Sequence, residues 1–225
     1  MVCLQGIEDP WMEASKITIK ALFISIATIA FIEVATRIVI SRSYFNPMVI
    51  LGVARVLETG LIILIVLAWG KGLSSIGLAP STMSRGLKKG LIWSAGFGLV
   101  TFFGFIALFL VDINPLTLIH TPLPGKTKEI ALFFFIGGLV APIAEEIFFR
   151  GILYGFFRRW GVLLALILTT VIFVLAHPVF PGIPVTQMVG GIMFALAYEI
   201  EGSLMVPITI HVLGNMAIFT FSLIP

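Results

Sequence analysis

Apolar runs too long for a soluble core dominate this chain of 225 residues. A helix needs roughly 20 consecutive apolar residues to cross a bilayer. Runs of that kind begin near Ile17–Ile40, Pro47–Trp69 and Leu91–Val111, and a fourth starts at Glu129. Further runs cover Gly161–Ala176, Ile183–Ile200 and Ser203–Leu223, which gives about seven spans. Only 11% of the residues are charged and 59% are hydrophobic, whereas a soluble domain carries about 25% charge. Lipid must therefore be the solvent for most of the surface. A membrane β-barrel alternates apolar and polar residues. The stretches Leu61–Trp69 and Ala131–Val140 do not alternate. The expected fold is all-α, a polytopic transmembrane helical bundle.

The net charge of +3 is too small for a nucleic-acid binder. The positive residues sit in short connections, where they set topology. Lys16, Lys20, Lys71, Arg85, Lys88, Lys89, Arg158 and Arg159 fall on one side, and Arg42, Lys126 and Lys128 on the other. The richer side reads as cytoplasmic, in the plasma membrane if the source is prokaryotic. Residues 1–16 read as an N-terminal interfacial segment without a cleavable signal. The single Cys3 allows no internal disulfide. Residues 17–128 form an N-terminal set of transmembrane helices and loops, and residues 129–225 a core that carries the chemistry. The stretches Gly70–Lys89 and Asp112–Lys128 are the polar connections, the second broken by Pro115, Pro122 and Pro124.

Ionisable residues at membrane depth are rare, paired or functional. Glu33 with Arg37, and Arg55 with Glu58, have the spacing of helical ion pairs. The second half of the chain is different. Glu146 has a partner four residues on, Arg150. Glu145, His177 and His211 have none on their own helices and must find partners on others. Glu145 and His177 each stand sixteen residues from Gly161, on opposite sides. An antiparallel hairpin turning at that glycine sets both roughly 24 Å from the turn. Pro178 ends the second helix, because the residue before a proline disfavours helical geometry. His211 lies only about 13 Å past the turn at Glu201–Ser203, with Asn215 at about 19 Å. Simple counting therefore leaves His211 short of Glu145.

A carboxylate and a histidine at one depth can act together on water. His211 and Asn215, one turn apart, can supply donors to an oxyanion. Thr169, Thr170 and Ser203 lack the neighbours that activate a nucleophile, so a covalent mechanism is not expected. Zinc is the competing reading, with Glu145, His177 and His211 as three ligands and an open fourth position, although HExxH is absent.

Three motifs occur in order: Glu145-Glu146-Ile147-Phe148-Phe149-Arg150, then Phe173 with His177, then His211 with Asn215. In these the chain resembles the CAAX-protease and bacteriocin-processing family of membrane peptidases, also called the Abi family, over about Glu129–Leu223. The resemblance implies an all-helical fold with a catalytic cavity inside the membrane, and a glutamate-dependent intramembrane endopeptidase that needs no cofactor. In that reading Glu145 activates water with His177, and His211 and Asn215 stabilise the oxyanion. Glu146, Arg150 and Phe173 support the site. The implied partners are a peptide or protein substrate, lipid-modified, membrane-anchored or exported, and the membrane lipids. The alternative class is a non-catalytic membrane scaffold or bacteriocin-immunity protein. The short stretch from His177 to His211 leaves room for one intervening span, so a reduced form of the fold is expected.

Overall fold

The computed structural model of the chain describes residues 17–177 and 184–224. The expected interfacial segment 1–16, Cys3 and Pro178 lie outside these residues. Eight helices and no strand occur among the described residues. They are α1 (Ile19–Arg42), α2 (Pro47–Trp69), α3 (Met83–Phe109), the single turn α4 (Leu116–Ile119), α5 (Thr127–Trp160), α6 (Val162–Ala176), α7 (Val185–Glu201) and α8 (Met205–Phe221). Four helices have the length and apolar composition to cross a membrane: α1, α2, α5 and Pro80–Phe109, which contains α3. The chain is an integral membrane protein with a helical bundle fold. Helices α6 and α8 are apolar but only 15 and 17 residues long.

Helix starts and stops follow local chemistry. Thr18 caps α1 by accepting from the Ala21 N–H, and Asn46 caps α2 by accepting from Met48 N–H ahead of Pro47. The third helix starts at Met83, earlier than the apolar run at Leu91 suggests, so Arg85, Lys88 and Lys89 ride on its first turns. The polar stretch is therefore partly helical, because basic side chains at a helix end can reach water while their stems stay on apolar surface. Gly161 separates α5 from α6 with φ 111°, a backbone value that side chains rarely tolerate. The break falls where the sequence places it.

Helix α5 is the axis of the bundle. It spans 34 residues, about 50 Å at the standard rise. Helices α2, α6 and α8 pack along it, and α7 covers its lower half beside α6 and α8. The contacts set Lys20, Lys89, Arg158 and Arg159 at one end. Lys20 lies over Trp69, Lys89 pairs with Glu201, Arg158 pairs with Glu199, and Arg159 donates to the Ile17 carbonyl.

Helix α3 approaches α8 through Gly86 and Gly90, one turn apart. A Cβ at Gly90 would lie 2.6 Å from Thr209 Cβ, well inside contact distance. Gly90→Ala is therefore expected to destabilise the protein by about 1–3 kcal/mol, the usual cost of overpacking. Gly96→Ala is the control, since a Cβ there meets nothing within 4 Å. Thermal unfolding in detergent should show a lower midpoint for the first variant and none of that loss for the second. Equal midpoints would mean that α3 and α8 separate without cost.

Candidate active site

The chemistry-bearing residues lie on α5, α6 and α8, and the winding of α5 positions them. Two stretches of α5 are π-helical, Ile136–Val140 and Ile147–Tyr154, on either side of the α-turns at Ala141–Glu146. The first has a chemical cause. The Ala141 N–H donates to the Ile136 carbonyl, a π-type bond that skips Gly137. The next N–H in that pattern belongs to position 142, which is proline and has none. The Gly137 carbonyl is left without a helical donor, and Asn215 Nδ2 donates to it at 2.9 Å. Buried carbonyls in lipid need such a partner. Asn215 thus ties α8 to the opening that Pro142 makes in α5.

The next turn of α5 carries Glu145 and Glu146. These two carboxylates meet opposite faces of one imidazole. His211 Nδ1 lies 2.7 Å from Glu146 Oε1, and His211 Nε2 lies 3.8 Å from Glu145 Oε2. His177 Nε2 approaches the same Glu145 oxygen at 3.5 Å. His177 Nδ1 donates to the Phe173 carbonyl at 2.7 Å, one turn back on α6. His177 itself is extended (φ −96°, ψ 143°), and the helix ends at Ala176, as the following proline demands.

Each histidine therefore spends Nδ1–H on an oxygen acceptor and turns Nε2 toward Glu145. A second partner of this kind fixes both ring orientation and tautomer.

Glu146 also accepts from Arg150 Nη1 at 2.9 Å, and Arg150 Nη2 donates to the Gly191 carbonyl on α7 at 3.2 Å. Both ends of this ion pair are sealed from solvent. The guanidinium lies over Phe173 and Phe194, 4.7 and 5.1 Å from the ring centres, a favourable arrangement for a desolvated cation. Phe194 stacks on His211 at 4.5 Å, and Phe173 touches both histidines at 4.4 and 6.0 Å. Phe173 is thus the common wall of the site.

The structure brings Glu145, Glu146, Arg150, Phe173, His177 and His211 together. It seats Asn215 against Gly137 on the first π stretch, not at the Glu145 turn. Thr169 donates to the Ala165 carbonyl within its own helix. The zinc alternative needs three ligand side chains grouped about one ion. Among the described residues no three His, Cys, Asp or Glu side chains are grouped to hold a metal, so no step is derived through one.

Sequence reasoning did not find three parts of the site. Phe194 and the Gly191 carbonyl come from α7, which carries no charge at that level. The pair Gly190–Gly191 was the available signal, since Thr170 packs where a Cβ of Gly191 would stand. The third is Arg55. The spacing of Glu33 and Arg37 suggests a pair within α1, but Glu33 reaches across to Arg55 on α2 at 2.7 Å. Arg55 also holds Glu58, as its spacing suggests. Its helix packs against the Ala141–Glu146 turns that carry Glu145.

Sequence comparison covers the same part of the chain. Residues 127–217 match the family model described as type II CAAX prenyl endopeptidase, Rce1-like. A membrane-embedded CAAX protease of Staphylococcus aureus (strain USA300), MroQ, is 34% identical over 104 residues. That match covers 43% of this chain and 42% of the relative's length. No solved structure matches. The matched segment begins with α5 and ends two residues past Asn215, so it contains all three motifs; over residues 127–217 this chain is similar to the Rce1-like CAAX endopeptidases.

Proposed function

We propose that the chain is an intramembrane endopeptidase in which Glu145 and His177 activate water. One observation carries this reading. Glu145 Oε2 faces the Nε2 atoms of two histidines whose Nδ1–H groups are already engaged. A carboxylate and a neutral imidazole are both acceptors. Facing each other at 3.5 Å, they are satisfied together by one molecule that donates two hydrogens. Water is such a molecule, and this leaves a lone pair on its oxygen for attack.

The reaction then runs as follows. The water oxygen bonds to the scissile carbonyl carbon while one proton passes to Glu145. His211, whose Nδ1 is held by Glu146, stabilises the developing oxyanion from Nε2 once that nitrogen carries a proton. Collapse of the tetrahedral species breaks the C–N bond as Glu145 returns its proton to the departing nitrogen. The second water proton leaves the new carboxyl group through His177 and ends on the amine, so the products are a carboxylate and an ammonium group. Asn215 keeps α8, and with it His211, in register with α5. Phe173, Glu146 and Arg150 fix the rings. The substrate would be a membrane-anchored, lipidated or exported protein cut near the membrane. The enzyme would be a multi-pass protein of the cell membrane that acts without a metal.

The test is cleavage of a membrane-peptide library by the detergent-purified protein, with and without a chelator. Activity should survive the chelator. His177→Ala should lower kcat by a hundredfold or more, in the range of a lost general base partner. Activity lost to the chelator and restored by zinc would instead make Glu145, His177 and His211 metal ligands.

A further inference from the structure

The family segment begins at residue 127, yet one charged group beside the site comes from far upstream. Arg55 sits on the face of α2 that meets α5. Three residues earlier, Gly52 lies so close to α5 that a Cβ there would be 2.7 Å from Ile136 Cδ1. Residues three apart share a helix face. Arg55 therefore points along the same seam, and α2 packs against the Ala141–Glu146 turns that carry Glu145.

The bonds of Arg55 are unevenly used. Both of its carboxylate partners, Glu33 Oε1 and Glu58 Oε2, take the same nitrogen, Nη1. Nε is buried without a partner. Nη2 makes none of the hydrogen bonds of the described residues, and it is not among the buried unpartnered atoms. Among the described residues it is a donor with two hydrogens and no acceptor. The side chains of Arg55 and Glu145 are each 18% exposed, His177 26% and Glu33 32%. Charged groups so exposed at membrane depth must face water or a polar ligand, not acyl chains. The four residues trace a polar seam from α1 across α2 to the α5–α6 pair.

The charge of the seam selects the ligand. Two carboxylates, Glu33 and Glu58, hold one guanidinium, and Glu145 adds a third negative charge on the neighbouring helix. A further carboxylate would meet net repulsion there, whereas a peptide carbonyl is a neutral acceptor and meets none. We propose that Arg55 is a substrate-binding residue: Nη2 donates to a backbone carbonyl of an extended peptide lying in the seam between α2 and α5. The peptide is held as an internal stretch of chain, not by its terminal carboxylate. This inference rests on the peptidase reading for its reaction but not for its binding measurement.

Two measurements on the full chain in detergent separate the possibilities. The first is binding of a fluorescent apolar peptide with an amidated C-terminus, and of its free-acid twin, in the Glu145→Gln background. Adding Arg55→Gln should weaken binding of the amide about ten- to a hundredfold, the range of a hydrogen bond to a charged group. Adding Arg55→Lys should weaken it similarly, because lysine keeps the charge between Glu33 and Glu58 but loses the forked second nitrogen. The free acid should bind no tighter than the amide. The second is steady-state cleavage, where the same variants of the otherwise intact chain should raise KM more than they lower kcat. Full rescue by lysine would make Arg55 a structural ion bridge and overturn the proposal. Tighter, Arg55-dependent binding of the free acid would also overturn it. Peptide binding that depends on Arg55 without any cleavage by the unmutated chain would sustain this inference while removing the peptidase reading.

Discussion

Glu145→Gln is expected to remove hydrolysis while leaving the fold intact. The substitution keeps the shape of the side chain and one oxygen acceptor. It removes the one property the mechanism needs, a group that takes a proton from water and returns it to the leaving nitrogen. General acid–base groups contribute typically a hundred- to ten-thousandfold. Turnover should therefore fall about a thousandfold, with KM nearly unchanged. Stability should hold for a structural reason. The buried ion pair of the site belongs to Glu146 and Arg150, and His211 Nδ1 is held by Glu146. Glu145 instead lies between two Nε2 atoms at 3.5 and 3.8 Å, beyond a good direct hydrogen bond. The check is kcat on a cleaved membrane peptide alongside the detergent unfolding midpoint. A variant that keeps a tenth of its activity would rule Glu145 out as the proton carrier.

The position of Glu145 beside His177 is legible in the sequence, and the reason is geometric. Two helices that turn at one glycine carry equally spaced residues to one depth, so Gly161 predicts the meeting of Glu145 and His177. The same arithmetic leaves His211 too far out. It fails because it starts α8 at the level of the turn between α5 and α6. The loop before α8 instead lies inside the bundle. Leu204 is fully buried, its N–H donates to the Gly77 carbonyl, and its side chain packs beside Gly151. Gly151 is ten residues before Gly161, about 15 Å along α5. Starting from that depth, His211 arrives at Glu145 and Glu146. Periodicity within one helix carries no record of such an inset. It also misplaces Asn215, whose partner exists only because Ile136–Val140 winds as a π-helix ahead of Pro142. Glu33 fails for a related reason. An i,i+4 pair contributes a few tenths of a kcal/mol, and a cross-helix arginine between two carboxylates outweighs it.

The second large effect falls on stability. Arg150→Met is expected to cost about 3–5 kcal/mol, the penalty for breaking a buried ion pair by removing one partner. The size follows from what remains. Glu146 is fully buried, its Oε2 already lacks a partner, and Arg150 Nη1 supplies a hydrogen bond to Oε1. Without the guanidinium, a carboxylate stays in an apolar wall of Phe149, Phe173 and Phe194 with only His211 to compensate it. The Gly191 carbonyl loses its donor as well, which loosens α7 from α5. Methionine fills much of the volume, so the loss reads the charge and not a cavity. Glu146→Gln combined with Arg150→Met removes both charges and should recover part of the stability, since replacing a whole buried pair is far less costly than halving it. Detergent unfolding of the two single variants and the double variant gives the coupling. A single-variant loss below about 1 kcal/mol would place Glu146 in contact with water, because only an exposed pair is worth that little. Glu146 would then be available to share the proton chemistry now assigned to Glu145, so the same measurement decides whether the adjacent glutamates divide their work between holding the site and running it.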